Sequence, residues 1–305
     1  MGYLCNMKVF RMKIFLIFIV FAFVAKAQEG DFQYLGSGSD LCIHDGQPMS
    51  IRLIEKGFTD HTEVVFCPAG IRRSSQHDVK RRYSFDWESK YNTIYFRNRD
   101  GIVYEGMNEH GFSASLIYLQ DSELPGKEKQ LIPIAASLAV NFFIDHFTSI
   151  DTALLAIWDI RIYDDLGLNG GWPFRIVLHD TSGASAYVEY VNGSRQVYTP
   201  DNPAFVVAGP DQNRLIKLAY LSEAKPETNA EKLYLEMSGS THLPNAPLIL
   251  VQLYMKYFGS SKYYTFFRYA EDKEIIIMTP GDEEAVFKFS EAEFIPGKEV
   301  VTRFF

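Results

Sequence analysis

The stretch YEGMNEHGFSASLIYL, residues 104–119, decides how this chain is read. Asn108, Glu109 and Gly111 make an Asn-Glu-x-Gly turn, in which Asn tolerates unusual backbone angles and Gly reverses the chain at no steric cost. FSASLIYL (112–119) then alternates along the period-two pattern of a strand with one face toward a core.

Working outward, IRLI (51–54), EVVFC (63–67) and NTIYF (92–96) read as strands on its N-terminal side. Asp45-Gly46 lies between two short apolar runs, a hairpin-turn signal. On the other side, LIPIAASLAVNFFIDHF (131–147) reads as a mostly buried helix. DTALLAIWDI (151–160) reads as a second helix, with Ser149 or Asp151 as its N-cap. FRIVLHD (174–180), SAYVEYV (185–191), RQVYT (195–199) and AFVVAG (204–209) are strand-like. Asn192-Gly193 between two of them is a tight turn, which also accounts for the glycosylation sequon it opens with Ser194. Helices are predicted at LIKLAYLSEA (215–224) and ILVQLYMKYF (249–258), and strands at YTFFRYA (264–270), EIIIMT (274–279) and EAVFKF (284–289). Strands, a helix pair, strands, helices and strands suit two sheets packed between helical layers in one domain.

The chain start reads differently. Lys8, Arg11 and Lys13 precede the apolar run IFLIFIVFAFVA (14–25), which ends in Ala25-Lys26-Ala27. A basic n-region, a short h-region and an A-x-A end predict a cleaved secretory signal peptide over 1–27 and a single domain over 28–305. The run is too short for a spanning helix, so no stable membrane insertion is expected after cleavage, and the product is secreted or periplasmic. Of 305 residues, 47% are hydrophobic, enough for one large core. Without the four basic residues of 1–27 the net charge is −12, which argues against a nucleic-acid partner. Cys42 and Cys67 are the cysteines of the mature chain, too few for a disulfide framework although one bond is allowed. No CxxC, HExxH or His cluster implies a metal, and no cofactor is implied.

Several segments, in order, resemble the choloylglycine hydrolase and penicillin V acylase family of N-terminal nucleophile (Ntn) hydrolases. IRLIE (51–55) resembles the strand with the family's catalytic arginine and, three residues on, its aspartate. VVFCPAG (64–70) resembles a strand ending in Pro-Arg-Gly, and WESKYNTIY (87–95) a Trp-x-Ser-x-Tyr-Gly-Ser segment. YEGMNEHGFSASLIYL is the strongest match. HDTSGASAYVEYVNG (179–193) and AFVVAGP (204–210) match two later strand segments, the second resembling Val-Thr-Asn-x-Pro. The resemblance implies an α+β fold, a four-layer αββα sandwich. It implies hydrolysis of linear amides by an N-terminal cysteine whose own α-amino group is the base, with backbone groups and an asparagine at the oxyanion. Its ligand would be a small acyl amide, and a homo-oligomer is compatible, since family members often form tetramers.

Carried over residue by residue, Arg52 matches the arginine and Glu55 stands at the aspartate with one extra methylene. Tyr118 matches a tyrosine near substrate, and Asn108 fits the turn, both as binding positions. Two positions depart: the oxyanion asparagine falls on Ala208, and the nucleophile, sixteen residues before Arg52, falls on Gly36. A later catalytic arginine expected near 245–255 has no match. A two-residue turn at 45–46 pairs positions summing to 91, so Glu55 faces Gly36 and Cys42 faces Met49. Cys42 then lies too far along the strand to replace the nucleophile, whereas Ser37 is one residue off and would become an N-terminal serine if cleavage preceded it. Aligning DFQYLG (31–36) to the first strand instead puts Glu29 at the nucleophile and needs a longer gap. Three readings stand: a degenerate family member that binds acyl amides, a working amide hydrolase using a residue such as Ser37, and a structural or interaction protein.

Overall fold

The computed structural model describes residues 39–43, 49–55, 62–76, 84–118, 122–126, 130–165, 174–199, 204–207, 215–216, 263–279 and 284–303, some of them, such as Glu55 and Tyr118, by backbone alone. In chain order the strands are β1 (Ser39–Ile43), β2 (Met49–Glu55), β3 (Glu63–Cys67), β4 (Arg72–Gln76), β5 (Ser84–Glu88), β6 (Thr93–Arg97), β7 (Val103–Asn108), β8 (Ser113–Tyr118), β9 (Ile132–Ala135) and β10 (Ile160–Tyr163). They continue as β11 (Phe174–His179), β12 (Ser185–Val191), β13 (Ser194–Tyr198), β14 (Ala204–Val207), β15 (Leu215–Ile216), β16 (Tyr263–Tyr269), β17 (Glu274–Met278), β18 (Glu284–Lys288) and β19 (Val300–Arg303). Two helices, α1 (Ala139–His146) and α2 (Ile150–Ile157), lie between β9 and β10.

Two antiparallel sheets carry the architecture. One runs β15-β14-β1-β2-β16-β17-β18 and the other β13-β12-β11-β8-β7-β6-β3-β19. The period of two divides each strand of the larger sheet between two cores. Val65, Ala114, Leu116, Ile176 and Val188 point outward, into a core shared with Phe143, Ile144 and Ile157 of the helices. Val64, Ile94, Phe96 and Met107 point inward, against Ile54, Phe266, Ile275 and Ile277 of the other sheet. The helix layer fits closely: a Cβ on Gly106 of β7 would come within 2.7 Å of Ile144 Cδ1 and 2.9 Å of Tyr95 Cβ. Glycine there sets the approach of α1.

Strands expected from alternation are found, and Asn192-Gly193 turns with φ of 50° and 72°, the positive angles of a tight hairpin. Other expectations need correction. The long helix predicted over 131–147 is a strand (β9), a 3-10 turn (Ala136–Leu138) and then α1. Pro133, with no N–H, favours the two-stranded ribbon that β9 forms in parallel with β10. The second helix starts from Ser149, whose Oγ accepts from Thr152 N at 3.4 Å, and Asp151 stands in its first turn. The helix predicted at 215–224 is a strand over Leu215–Ile216; its remainder, the helix predicted at 249–258 and the signal peptide lie outside the described residues.

The first hairpin differs by one residue. Asp40 pairs with Arg52 and Cys42 with Ser50, so paired numbers sum to 92, not 91. The connection between the strands spans 44–48, an odd number of residues that a two-residue turn cannot give. The described ladder runs from Asp40 opposite Arg52 to Ile43 opposite Met49. Cys42 opposite Met49 is therefore overturned, and with it the sum of 91; the position opposite Glu55 in the first strand lies outside the described residues.

Candidate functional site

Arg52 points from β2 into the space between the sheets and is fully buried. Its Nη1 donates to Tyr104 O at 2.7 Å and to Glu105 Oε2 at 3.0 Å, and its Nη2 donates to Leu116 O. Glu105 reaches the second buried arginine with its other oxygen: Arg268 Nη1 donates to Oε1 at 2.8 Å and to Ser115 Oγ at 2.6 Å. Arg268 is the cross-strand partner of Ser50, two residues from Arg52 on the same strand face. One carboxylate thus bridges two guanidinium groups from adjacent strands of the opposite sheet. Such a network is rigid, because moving either arginine strands a charge in a low-dielectric interior.

A bulge aims the carboxylate. The β6–β7 register shifts at Phe96/Arg97, where Phe96 pairs with Glu105 and Arg97 with Val103. Tyr104 is skipped and joins the inner core beside Phe266. Its hydroxyl meets Thr62 Oγ1 at 3.0 Å, and its ring lies 5.9 Å from the Arg52 guanidinium carbon. Bulges re-aim side chains in this way.

The other predicted residues are only partly brought to this network. Glu55 ends β2 opposite Tyr263, and Tyr118 ends β8 opposite Phe174. Gly36, Ser37 and Ala208 lie outside the described residues. Asn108 has a complete account without a ligand. Its Nδ2 donates to Ile144 O at 2.9 Å and Phe147 O at 2.7 Å, while Oδ1 accepts from His110 N at 3.0 Å and Phe112 N at 3.2 Å. It ties the β7–β8 turn to the end of α1. The Asp-x-Ser-Gly turn works alike: Asp180 Oδ2 accepts from Ile150 N at 2.8 Å, anchoring the start of α2.

Cys67 belongs to a separate polar cluster on the outer face. Arg73 Nη2 donates to its Sγ at 3.1 Å, and Arg73 also reaches Asp145 Oδ2 at 2.7 Å and Glu299 Oε1 at 3.0 Å. Trp87 Nε1 donates to Asp145 Oδ2 at 2.8 Å. Burial pushes the Cys67 thiol up to about 12, more than the neighbouring Arg73 lowers it. A thiol held protonated is a packing group rather than a nucleophile. Among the described residues no group of His, Cys, Asp and Glu is placed to hold a metal, and no helix is long and apolar enough to cross a membrane.

The inner face continues polar beyond β8. His179 Nδ1 lies 2.8 Å from Ser185 Oγ, its cross-strand partner on β12. Arg175, fully buried on β11, has Glu189 beside it, with Nη2 3.2 Å from Oε1. Sequence reasoning missed Glu105, Arg268 and the Arg175–Glu189 pair. The available signal was a charge at an inward position of an apolar strand, which becomes visible only when the register is known.

The chain matches the family model described as linear amide C-N hydrolases, choloylglycine hydrolase family, over residues 44–214. A penicillin V acylase of Pectobacterium atrosepticum is 24% identical over 182 residues, covering 56% of this chain and 48% of that protein. The match thus spans about half the length of that relative. Among solved structures, penicillin V acylase from Agrobacterium tumefaciens superposes with a TM-score of 0.67 at 17% identity, covering 87% of this chain and 90% of that one. A variant of the conjugated bile acid hydrolase from Clostridium perfringens gives 0.68 at 11% identity, covering 88% and 97%. At those identities the structures speak for the fold, the αββα sandwich of the Ntn hydrolases.

Proposed function

Because this chain belongs to the choloylglycine hydrolase family of linear amide C-N hydrolases, we propose that it is a secreted acyl-amide-binding member that lacks the cysteine-dependent cleavage. The observation that carries the reading is the residue set at the nucleophile's address. Counted from Arg52, the position holds Gly36, and the oxyanion asparagine's position holds Ala208. Without a thiol on the first residue there is nothing for the terminal amine to activate. Without the asparagine, a developing oxyanion loses one of its donors. These groups act as a unit, so their joint loss removes turnover rather than reducing it by degrees.

What remains supports binding. The bulge at β7 and the Arg52–Glu105–Arg268 bridge hold a fixed polar network between the sheets, beside their apolar core. In this reading Arg52 and Tyr118 serve the ligand as positioning and contact groups, and Glu55 stands in for the aspartate.

A second reading has one specific observation in its favour. Continued by arithmetic alone, a register summing to 92 assigns Ser37, not Gly36, to Glu55. An N-terminal serine at 37 would supply a hydroxyl nucleophile and an amine base together.

Thermal unfolding with penicillin V and with a glycine-conjugated bile salt, run beside a turnover assay, separates the two. The proposed function predicts a concentration-dependent rise in Tm for at least one compound and no product. Product formation abolished by Ser37→Ala would establish the second reading. Neither a shift nor product would leave the interaction-protein reading.

A further inference from the structure

Arg175 differs from Arg52, Arg268 and Arg73, because none of its three guanidinium nitrogens makes a hydrogen bond. Arg52 and Arg268 each hold carboxylate and further oxygen acceptors, and Arg73 holds two carboxylates and a sulfur. The Arg175 side chain is equally enclosed, at 0% exposure, yet its Nε, Nη1 and Nη2 make no hydrogen bond. Glu189 Oε1 is close at 3.2 Å, but the approach to Nη2 is not aimed as a hydrogen bond. Buried donors left without acceptors are costly, and native proteins keep them where something else completes the set.

Its place is set by register. Arg175 pairs with Ile117 on β8, which shares the strand face of Ser115, the residue that touches Arg268 of the other sheet. The donors therefore face the space between the sheets. Exposure rises along that face from Arg175 through the Glu189 side chain at 9% to Tyr198 at 38% on the edge strand β13. The face is thus closed at Arg175 and reaches solvent at β13.

We propose that Arg175 and Glu189 form a ligand subsite between the sheets that takes an uncharged hydrogen-bond acceptor, the carbonyl oxygen of a neutral amide, in preference to a carboxylate. The charge count decides the class. Glu189 already balances the guanidinium, so a carboxylate on the free donors would bring a second anion beside Glu189 in a desolvated place. A carbonyl uses the same donors without that repulsion. The electrostatics agree: burial lowers the proton affinity of Arg175 despite Glu189, and burial raises the carboxyl of Glu189 despite Arg175. Arg175 thus lacks hydrogen-bond acceptors beside its ionic neighbour Glu189. This inference rests on the acyl-amide reading above and adds which end groups such a ligand carries.

The test uses one matched pair, N-phenoxyacetylglycinamide and N-phenoxyacetylglycine, titrated calorimetrically into the mature protein. The uncharged amide is expected to bind at least tenfold tighter, and Glu189→Gln is expected to erase or invert that preference by freeing the charge on Arg175. Arg175→Met alone buries a lone carboxylate, so Arg175→Met with Glu189→Gln, which removes both charges, is measured beside it. Loss of amide binding in this folded double variant supports the subsite. Equal binding of the two compounds, preference for the acid, or undiminished amide binding in the double variant overturns the subsite and leaves the acyl-amide reading standing. Binding of neither compound to the unsubstituted protein overturns both.

Discussion

Glu105 carries a heavy electrostatic duty, since one carboxylate answers two arginines with essentially no solvent access. Removing one partner from a buried ion pair costs about 3–5 kcal/mol. Glu105→Ala is therefore expected to lower the urea unfolding midpoint by at least that equivalent, and Glu105→Gln by less, because an amide oxygen still accepts from one guanidinium. Cys67 gives a second prediction. Its thiol is raised by burial to about 12 from an ordinary 9.0, so the folded state holds this proton more tightly than the unfolded chain. The sign follows from linkage: the stabilisation is fully present below pH 9, and declines as pH rises from there through 12. In a Cys42→Ser background, thiol reagents at pH 8 should modify Cys67 only after denaturation. At this scale the sequence was informative where spacing mattered and silent where parity mattered. Arg52 emerged from the resemblance of IRLIE (51–55) to the family's arginine strand. Glu105, Arg268 and Arg175 did not, because a charged residue in an apolar strand looks solvent-facing until a second sheet is known to cover it.

Elements show the same division. β8, β11, β12 and β16 were legible because one or both faces are buried and the apolar residues repeat every two positions. β4 and β5, RRSSQ and SFDWE, were not, since they pair only with each other in a ribbon that leaves Arg72 and Glu88 exposed. β10, IRIY, was hidden behind a run of helix formers whose end the pattern could not mark. The β7–β8 turn offers the sharpest element-level prediction. Gly111 sits at φ +79°, and a Cβ there would run into the Ala270 carbonyl and the Thr181 methyl. Gly111→Ala should cost more than the about 1–3 kcal/mol of backbone strain alone. The check is a Tm well below that of Gly101→Ala, where φ is +80° but no atom lies within 4 Å of the added carbon.

The whole molecule was legible as an ordered set of segments, and its two sheets with an outer helix pair follow that order. What one-dimensional order left unreadable was how the first hairpin closes, because a five-residue connection over 44–48, in place of a two-residue turn, shifts each described pair by one. That single step decides which residue is assigned to Glu55, and so which terminus a working enzyme would need. The proposed secretion is tested at this scale too: deleting residues 1–27 should retain the protein in the cytoplasm, checked by fractionating cells that express each form. The central claim, a family member that binds acyl amides and does not cleave them, is met most directly by the intact mass of the mature secreted protein, taken with its turnover of penicillin V and a glycine-conjugated bile salt. The account predicts a chain beginning at Gln28 and no product. A chain beginning at Ser37 or Cys42 that releases product would contradict it.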